Sequence, residues 1–199
     1  MIDFTQIIYL IASYLIGAIP FGLFLTKIFA KKDIRQHGSK NIGATNVARV
    51  AGKKLGLATL ILDGGKGAIM IIMARFLFQN FPNINLFTIL VATSAILGHI
   101  FPVYLKFKGG KGVATTLATL LALNLTLGFL VCCVWVTIFL VFRISSLSSL
   151  SAIFSSIVIS YFLQLSSAQI IFCIALFVII LYRHKENISR LLSGKETKI

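Results

Sequence analysis

The stretch GHIFPVYLKFKGGKGVATT, at residues 98–116, joins two apolar segments through a basic corner that is rich in glycine. Glycine has no Cβ, so the backbone at 109–112 can turn its N–H groups toward a bound anion. An uncharged run starts at Val113, which predicts a helix whose positive N-terminal end lies beside Lys111. The spacing of glycine and lysine at 109–112 differs from that of a Walker A motif, GxxxxGK[ST]. The corner predicts a phosphate site at a membrane surface, and the alternative is a basic turn that contacts lipid headgroups.

The composition excludes an ordinary water-soluble domain. Of the 199 residues, 58% are apolar, and the mean hydropathy is +0.97. These values are typical of a helical protein that crosses a membrane several times, and no alternating pattern indicates a β-barrel. There are 19 Lys and Arg against 5 Asp and Glu, and the cations lie between apolar segments. The excess charge therefore predicts anionic lipid or a phosphorylated substrate as a partner, and no nucleic acid.

The three cysteines, Cys132, Cys133 and Cys173, lie inside apolar runs. Their spacing predicts neither a zinc site nor a disulfide framework, so we interpret them as small buried hydrophobic residues. Neither a metal nor a cofactor is predicted for this chain. Asp3 precedes the first apolar run and no cation does, so we expect no cleavable signal peptide.

The apolar segments predict an all-α, polytopic membrane bundle of seven transmembrane helices that forms a single domain, residues 1–199. Residues 113–142 carry no charge and are too long for one straight span, so we expect two short helices that divide near 124–128. Lys and Arg favour the cytoplasmic side, which predicts the N-terminus outside, the C-terminus inside and Arg75 as the only outer cation. The predicted spans are 4–25 with a kink near Pro20, 57–77, 86–105, two within 113–142 and two within 144–182.

The polar segment HGSKNIGATNVAR, at residues 37–49, is dense in hydroxyl and amide groups and carries two cations. Its small side chains can bond an oxyanion or cap the short helix that carries Arg49. The segment predicts a second anion site, and the alternative is a solvated cytoplasmic loop. The candidate ligands are Lys40, Asn41, Thr45, Asn46 and Arg49.

Two charged residues, Asp63 and Lys66, lie three positions apart inside the second predicted span, on one helix face. Either charge alone costs about 2.5–3.5 kcal/mol at the bilayer centre. We therefore predict an ion pair between them, which either serves the structure alone or also orders the site. His99, within the third span, is interpreted as a packing histidine.

Two more polar groups lie near the predicted cytoplasmic ends of the last spans. Arg143 precedes the serine-rich stretch ISSLSSLS, and Ser149 belongs to that stretch. Both are candidates for the site, although small residues of this kind can also serve only close packing. His184 and Asn187 fall with apolar residues on the helix face that is turned toward the bundle. We predict these two as functional residues.

Several common active sites are excluded. None of the 3 histidines is followed by Asp five positions later, so the HxxxxD acyltransferase dyad is missing. The 5 acidic residues are spread along the chain and cannot build an aspartate-rich metal motif. There is also no G-x-S-x-G nucleophile elbow.

Five segments occur in order along nearly the whole chain: GAIPFG, GSKNIGATNVAR, GHIFPVYLKFKGGKGVAT, SSLSSLSA and RHKENISRLLSGKE. Together they resemble the motifs of the bacterial acyl-phosphate:glycerol-3-phosphate acyltransferases, the PlsY family. The resemblance implies seven helices in the bacterial cytoplasmic membrane, with the active site on the cytoplasmic side. It also implies transfer of a fatty acyl group from acyl phosphate to the sn-1 hydroxyl of glycerol 3-phosphate, without coenzyme A. The products would be lysophosphatidate and phosphate, in the first step of phospholipid synthesis.

The resemblance also implies which residues act. The family's motif serine and arginine match Ser39 and Arg49, and its motif histidine and asparagine match His184 and Asn187. The candidate catalytic residues are Ser39, Arg49, Lys111, His184 and Asn187. The candidate phosphate-binding residues are Lys40, Asn41, Thr45, Asn46, Gly109, Gly110, Gly112, Thr115, Arg143 and Ser149.

The expected partners are acyl phosphate, glycerol 3-phosphate and the lipid bilayer, with acyl phosphate handed over by a soluble synthase to a monomeric enzyme. The motif loops assigned to the site hold no carboxylate, whereas a phosphate monoester has a second pKa of about 6 and can accept a proton. We therefore expect direct, substrate-assisted transfer without an acyl-enzyme. The alternative function is a transporter for organic phosphates, but transport favours repeated halves and charges along a path to the far side.

Overall fold

The computed structural model describes residues 3–198, and those residues form helices and connecting segments without a β-strand. Two single-turn 3-10 helices, Ile34–Gln36 and Val103–Leu105, lie in the connections. The α-helices are α1 (Phe4–Gly17), α2 (Phe21–Phe29), α3 (Ala44–Ala51), α4 (Lys53–Leu77), α5 (Ile84–Ile100), α6 (Val113–Leu123), α7 (Leu125–Phe142), α8 (Ser145–Phe162), α9 (Ser167–Arg183) and α10 (Lys185–Leu192).

Within residues 3–198, five helical stretches are long and apolar enough to cross a membrane. α1 and α2 together form the first of them, and α4, α5, α7 and α8 account for the others. A sixth crossing results if α9 and α10, which meet at a bend of 67°, are one broken span. α6 is apolar but has only 11 residues, or about 16 Å of helix against a core of about 30 Å. The chain is therefore an all-α, multi-pass membrane protein, as predicted.

Two helix breaks fall where the sequence predicts them. The first break lies at Pro20, between α1 and α2, because a proline in a helix interior removes a backbone hydrogen bond. Asn124 separates α6 from α7, and its side chain accepts a hydrogen bond of 2.9 Å from the Leu127 N–H as the cap of α7. α7 has 18 residues, or about 27 Å, so only α6 is as short as expected.

The residue contacts divide the chain into two compact units, Met1–Ala122 and Leu123–Ile199, which are described separately. In the first unit, α5 packs against α1 and α4. Glycines allow the approach to α1: a Cβ on Gly17 would lie 2.2 Å from the Ala95 carbonyl oxygen, and one on Gly98 would lie 2.2 Å from that of Tyr14. Small residues let membrane helices pack this closely, and the contact fixes the end of α5 that precedes the glycine-rich corner.

The polar segment between α2 and α4, residues 30–52, packs against neighbouring helices of the first unit instead of remaining fully solvated. A small apolar cluster of buried residues, Leu23, Ile34, Ile42 and Val47, lies beneath it. α3 packs against α4, where a Cβ on Gly56 would lie 2.4 Å from the Ala48 Cβ. Within the 37–49 segment, the alternative of a solvated loop is therefore wrong for Ile42 and Val47, because burial of those side chains anchors the backbone.

In the second unit, α8 packs between α7 and α9. Most of its buried serines satisfy their hydroxyl groups within their own helix, as when Ser156 Oγ donates to the Ile153 carbonyl at 2.6 Å, whereas Ser146 Oγ donates to Glu196. Such bonds remove the cost of burying a hydroxyl group and leave a narrow face for close packing. α10 follows the bend at His184 and carries the C-terminal motif.

Candidate functional site

Asn46 is the residue that shapes the loop at 37–49. Its Oδ1 accepts a hydrogen bond of 2.9 Å from the Ser39 N–H. Its Nδ2 donates to the carbonyls of His37 and Asn41 at 3.0 and 2.8 Å. The side chain is only 2% exposed, so its amide serves the loop backbone. The structure thus shows how Asn46 can position neighbouring residues, and its predicted role as a phosphate ligand stays a prediction.

The loop's other candidates lie at its surface. Ser39, Lys40 and Arg49 are exposed, and Asn41 and Thr45 are partly exposed. Arg49 lies on α3, the short helix that the sequence predicts to carry it. Exposed hydroxyl, amide and cationic groups on one ordered loop can bind an oxyanion.

The start of this loop is held by a surface ion pair. Arg35 Nη2 donates to Asp33 Oδ2 at 2.6 Å, and the Arg35 N–H and Nε donate to Oδ1 of the same carboxylate. These hydrogen bonds lower the pKa of Asp33 to about 2. The carboxylate is therefore committed to Arg35 at neutral pH, which leaves the exposed cations of the loop available for an anionic substrate.

The glycine-rich corner rests on the end of α5. The Gly109 N–H donates to the Ile100 carbonyl at 3.2 Å, and the Gly110 N–H donates to the His99 carbonyl at 3.1 Å. These two amides therefore pin the corner to α5 instead of turning toward an anion, which differs from the expectation. Gly112 has a φ of 85°, a conformation that favours glycine, and its carbonyl accepts the first bond of α6 from Thr116 at 2.8 Å.

Lys111 lies two residues before Val113, the first residue of α6, and thus beside the N-terminus of the helix, as predicted. The first N–H groups of a helix have no partner within it and carry partial positive charge, so this end of α6 suits an anion. Thr115 is different: it is fully buried, and its hydroxyl donates to the Asp63 carbonyl at 2.8 Å. That contact ties α6 to α4, while the predicted contact of Thr115 with phosphate stays a prediction.

The predicted ion pair inside α4 is present and buried. Lys66 Nζ lies 3.0 Å from Asp63 Oδ1, and the two residues are 5% and 1% exposed. Lys66 Nζ also lies 3.0 Å from His99 Nδ1. The sequence predicts the pair, but it treats His99 only as a packing residue and does not connect it to Lys66.

In the second unit, His184 and Asn187 are buried, with exposures of 2% and 6%, as their helix face predicts. His184 Nδ1 lies 2.8 Å from the Ile180 carbonyl, so Nδ1 donates to that oxygen. Asn187 donates through Nδ2 to Glu196 Oε1. The structure therefore orients both residues that the sequence predicts in this motif.

Glu196 is a residue of this cluster that the sequence analysis missed. Its Oε1 also accepts from Ser146 Oγ at 2.8 Å, and its Oε2 accepts from Arg190 Nε at 2.6 Å. Burial alone would raise its pKa, but the hydrogen bonds from Asn187, Ser146 and Arg190 outweigh burial and lower it. One signal was available: Glu196 is one of only 5 acidic residues and closes the last motif.

The remaining two candidates belong to the junction of α7 and α8. Arg143 is exposed and caps the end of α7 in a left-handed conformation with a φ of 59°. Ser149 is 2% exposed, donates to the Ser145 carbonyl at 2.7 Å and accepts from Trp135 Nε1 at 3.1 Å. Ser149 therefore ties α8 to α7, and its predicted role in phosphate binding stays a prediction.

Comparison with known proteins places these features in one family. A family model described as Glycerol-3-phosphate acyltransferase matches residues 7–194. A protein of that name from Pelagibacter ubique is 47% identical over 188 residues, which is 94% of this chain and 94% of the relative. Another from Bartonella henselae is 42% identical over 199 residues, which is 100% of this chain and 94% of the relative.

Two solved structures of PlsY, an integral membrane glycerol 3-phosphate acyltransferase, have the same fold. The glycerol 3-phosphate form has a TM-score of 0.91 and 36% identity, and the match covers 98% of this chain and 96% of that one. The lysophosphatidic acid form has a TM-score of 0.87 and 35% identity, with coverage of 98% and 95%. Since the match spans nearly the full length in sequence and in structure, this chain belongs to the glycerol-3-phosphate acyltransferase family.

Proposed function

We propose that this protein transfers a fatty acyl group from acyl phosphate to the sn-1 hydroxyl of glycerol 3-phosphate, giving lysophosphatidate and phosphate. The observation that carries the proposal is the full-length match to glycerol-3-phosphate acyltransferases, including a structure of PlsY in its glycerol 3-phosphate form. The alternative of a transporter for organic phosphates has no support among these relatives.

The first unit carries two groups of cations, which supports a function with two phosphorylated substrates. The loop at 37–49 carries Lys40 and Arg49 on its surface, and the glycine-rich corner carries Lys111 at the start of α6. Cations and helix N-termini bind phosphate well, because both offer N–H donors in a positive field. Acyl phosphate as the donor also agrees with the chemistry, since it is already an activated mixed anhydride.

The proposed reaction is a direct transfer. The glycerol hydroxyl oxygen attacks the acyl carbonyl carbon, the bond between that carbon and the phosphate oxygen breaks, and phosphate leaves with the bonding electrons. The hydroxyl proton passes to a substrate phosphate group, whose second pKa is about 6. The protein then needs to orient the substrates and stabilise charge, and no side-chain nucleophile is required.

The proposed roles follow from the chemistry of the residues. Arg49, Lys111 and the first amides of α6 hold phosphate, with Ser39 as a further donor on the loop. His184 and Asn187 position glycerol 3-phosphate, and Glu196 holds Asn187 in place. The secondary phosphate contacts in this proposal are those of Lys40, Asn41, Thr45, Asn46, Gly112, Thr115, Arg143 and Ser149. Gly109 and Gly110 are left out, because their amides already donate to carbonyls of α5.

We further infer seven membrane crossings, with the N-terminus outside and the C-terminus and active site on the cytoplasmic face of the bacterial inner membrane. Seven crossings result if α6 is a short crossing and α9 with α10 is a broken one, in addition to the five long helical stretches. The concentration of Lys and Arg in the connecting segments supports this orientation. The proposal includes a monomer that acts as a single domain and receives acyl phosphate from a soluble synthase.

The test is to incubate the purified protein with glycerol 3-phosphate and either acyl phosphate or acyl-coenzyme A. We expect lysophosphatidate only with acyl phosphate, together with one phosphate released for each product formed. An Arg49→Ala variant serves as the control for contaminating activity. Product from acyl-coenzyme A, or none from either donor, would contradict the proposed donor or the proposed activity.

Direct transfer is tested separately with radiolabelled acyl phosphate in the absence of glycerol 3-phosphate. We expect no label on the protein and intersecting lines in a two-substrate kinetic analysis. Stable acylation of Ser39, Ser149 or a cysteine, or ping-pong kinetics, would mean that a side chain carries the acyl group.

A further inference from the structure

A buried polar group of the first unit has no part in the reaction described above, yet it lies directly beneath the glycine-rich corner. It consists of Asp63 and Lys66 from α4 and His99 from α5, with exposures of 1%, 5% and 4%. Groups of this kind are costly inside a membrane protein, and those that occur there commonly have a function.

The Lys66 ammonium group has three polar partners. Its Nζ lies 2.9 Å from the Ile19 carbonyl, 3.0 Å from Asp63 Oδ1 and 3.0 Å from His99 Nδ1. An ammonium group has three N–H donors and no acceptor, so each of its three partners must accept. His99 Nδ1 and Asp63 Oδ1 lie 3.8 Å apart, as two acceptors around one ammonium group do.

This arrangement determines where His99 carries its proton. Because Nδ1 accepts from Lys66, a neutral imidazole must hold its single proton on Nε2. Nε2 is the ring nitrogen that faces the corner: a Cβ added to Gly110 would lie only 2.2 Å from it. The His99 carbonyl also accepts the Gly110 N–H at 3.1 Å, so ring and backbone contact the corner at the same residue.

We propose that Asp63, Lys66 and His99 are positioning residues for the glycine-rich corner. Lys66 holds His99 as the tautomer with Nε2–H, and the ring presents that donor to the corner at Gly110, which sets the geometry of Lys111 and the start of α6 for phosphate. Asp63 accepts from Lys66 Nζ through its carboxylate and, through its backbone carbonyl, accepts from the Thr115 hydroxyl of α6 at 2.8 Å. This inference rests on the proposed phosphate-binding function of the corner.

The first test reads the tautomer directly. Protein labelled with ¹⁵N-histidine contains only 3 histidines, so His37→Gln and His184→Gln variants assign the ring signals of His99. We expect a protonated Nε2 and an unprotonated Nδ1 in the unaltered protein. A proton on Nδ1 of His99 would overturn the proposal, whatever the enzyme's activity.

The second test separates a donor at the corner from simple packing. His99→Gln places an amide near the former Nε2, whereas His99→Asn reaches only the position of Nδ1. Binding of inorganic phosphate, followed by ³¹P NMR, and the KM values of both phosphorylated substrates are measured for each variant. We expect His99→Asn to weaken phosphate binding and one KM about tenfold with kcat much less affected, and His99→Gln to stay within about threefold.

Equal losses in both variants, or a fall in kcat alone, would assign His99 to packing and overturn the proposal. The double variant Asp63→Leu/Lys66→Met removes both charges together, which avoids leaving one buried charge alone. We expect it to lose the preference for Nε2–H and to weaken phosphate binding as His99→Asn does. If the double variant keeps both properties, Lys66 does not act through His99. An inactive unaltered protein would contradict the proposed function, but the tautomer and phosphate binding would still be measurable.

Discussion

At the scale of single residues, some polar side chains hold the backbone in place, whereas others face outward, where they are proposed to bind phosphate. Asn46 and Thr115 are buried and bonded to backbone carbonyls, whereas Arg49 and Lys40, on the same loop as Asn46, are exposed. A buried amide must find partners nearby, because leaving it unpaired costs about 1–3 kcal/mol. Polar side chains that look alike in the sequence therefore have different roles in the folded protein.

Gly110→Ala should raise the KM for a phosphorylated substrate at least tenfold, because the new Cβ would meet His99 Nε2 at 2.2 Å and displace the corner. Gly65→Ala is the matched control, since nothing lies within 4 Å of a Cβ there. In a helix interior that change should leave the kinetics unaltered and can stabilise by up to about 1 kcal/mol. Steady-state kinetics of the two variants check this expectation, and equal KM values would contradict it.

Glu196 predicts a pH dependence for the docking of α10. The pKa of Glu196 is lowered in the folded protein by its hydrogen bonds. The stabilisation that the ionised carboxylate gives the folded state is therefore complete above the ordinary pKa of glutamate, about 4.3, and is lost as the pH falls through the lowered pKa. Hydrogen exchange of the amides at 185–192 should show constant protection from pH 8 to about pH 5 and a loss at more acid pH.

A Glu196→Gln variant should remove this acid-dependent step, because glutamine does not titrate. Glu186→Gln is the control on α10: Glu186 is exposed, and the step should persist. A step of the same size in Glu196→Gln would assign the acid dependence to another group.

At the scale of elements, two connecting segments are anchored to the helices that they join. The segment between α2 and α4 has its own apolar cluster, and the corner between α5 and α6 is held by backbone hydrogen bonds to the end of α5. Both segments carry the cations proposed to bind phosphate. Holding cations on ordered connections lowers the entropy lost when a substrate binds.

Asn46→Ala should loosen the whole loop at 37–49, because it removes three hydrogen bonds to the loop backbone. The expected cost is about 1–3 kcal/mol of local stability, seen as faster hydrogen exchange of residues 37–43. Asn41→Ala is the control, since it keeps the main-chain carbonyl that Asn46 bonds. Faster exchange in both variants would mean that Asn46 does not specifically shape the loop.

At the scale of the whole molecule, charge and apolar surface describe how the chain lies in a bilayer. Large apolar side chains are exposed along the long helices, as on α4 and α7, where Phe76 is 76% and Leu125 is 74% exposed. In water such surfaces would be unfavourable, whereas lipid tails cover them without cost. The proposed orientation follows from the position of the cations in the connecting segments.

A cysteine introduced in the 36–46 segment should react with a membrane-impermeant thiol reagent only after the inner face of the membrane has been exposed. The experiment needs a background without the native cysteines, because Cys133 is exposed in the structure. A cysteine beside Arg75, at position 79, should show the opposite pattern. Labelling of the 36–46 segment in intact cells would contradict the proposed topology.

The sequence by itself determined the membrane class, the helix breaks at Pro20 and Asn124, the Asp63–Lys66 pair and the buried face of His184 and Asn187. These features depend on local properties: hydropathy, the conformational limits of proline, the capping ability of asparagine and the spacing of residues on a helix. They can be read from neighbours within a few positions of each other. The family also follows from the sequence, because its motifs lie in order along the chain.

Only the tertiary structure decided which polar groups shape the protein and which face outward. The link between Lys66 and His99 joins residues 33 positions apart, and that between Ser146 and Glu196 joins residues 50 positions apart. No periodicity in the sequence encodes such pairs, because they depend on how helices pack. The tertiary structure also decided the partners of the Gly109 and Gly110 amides. The glycines show that the backbone can turn, but only the position of α5 determines which carbonyls those amides meet.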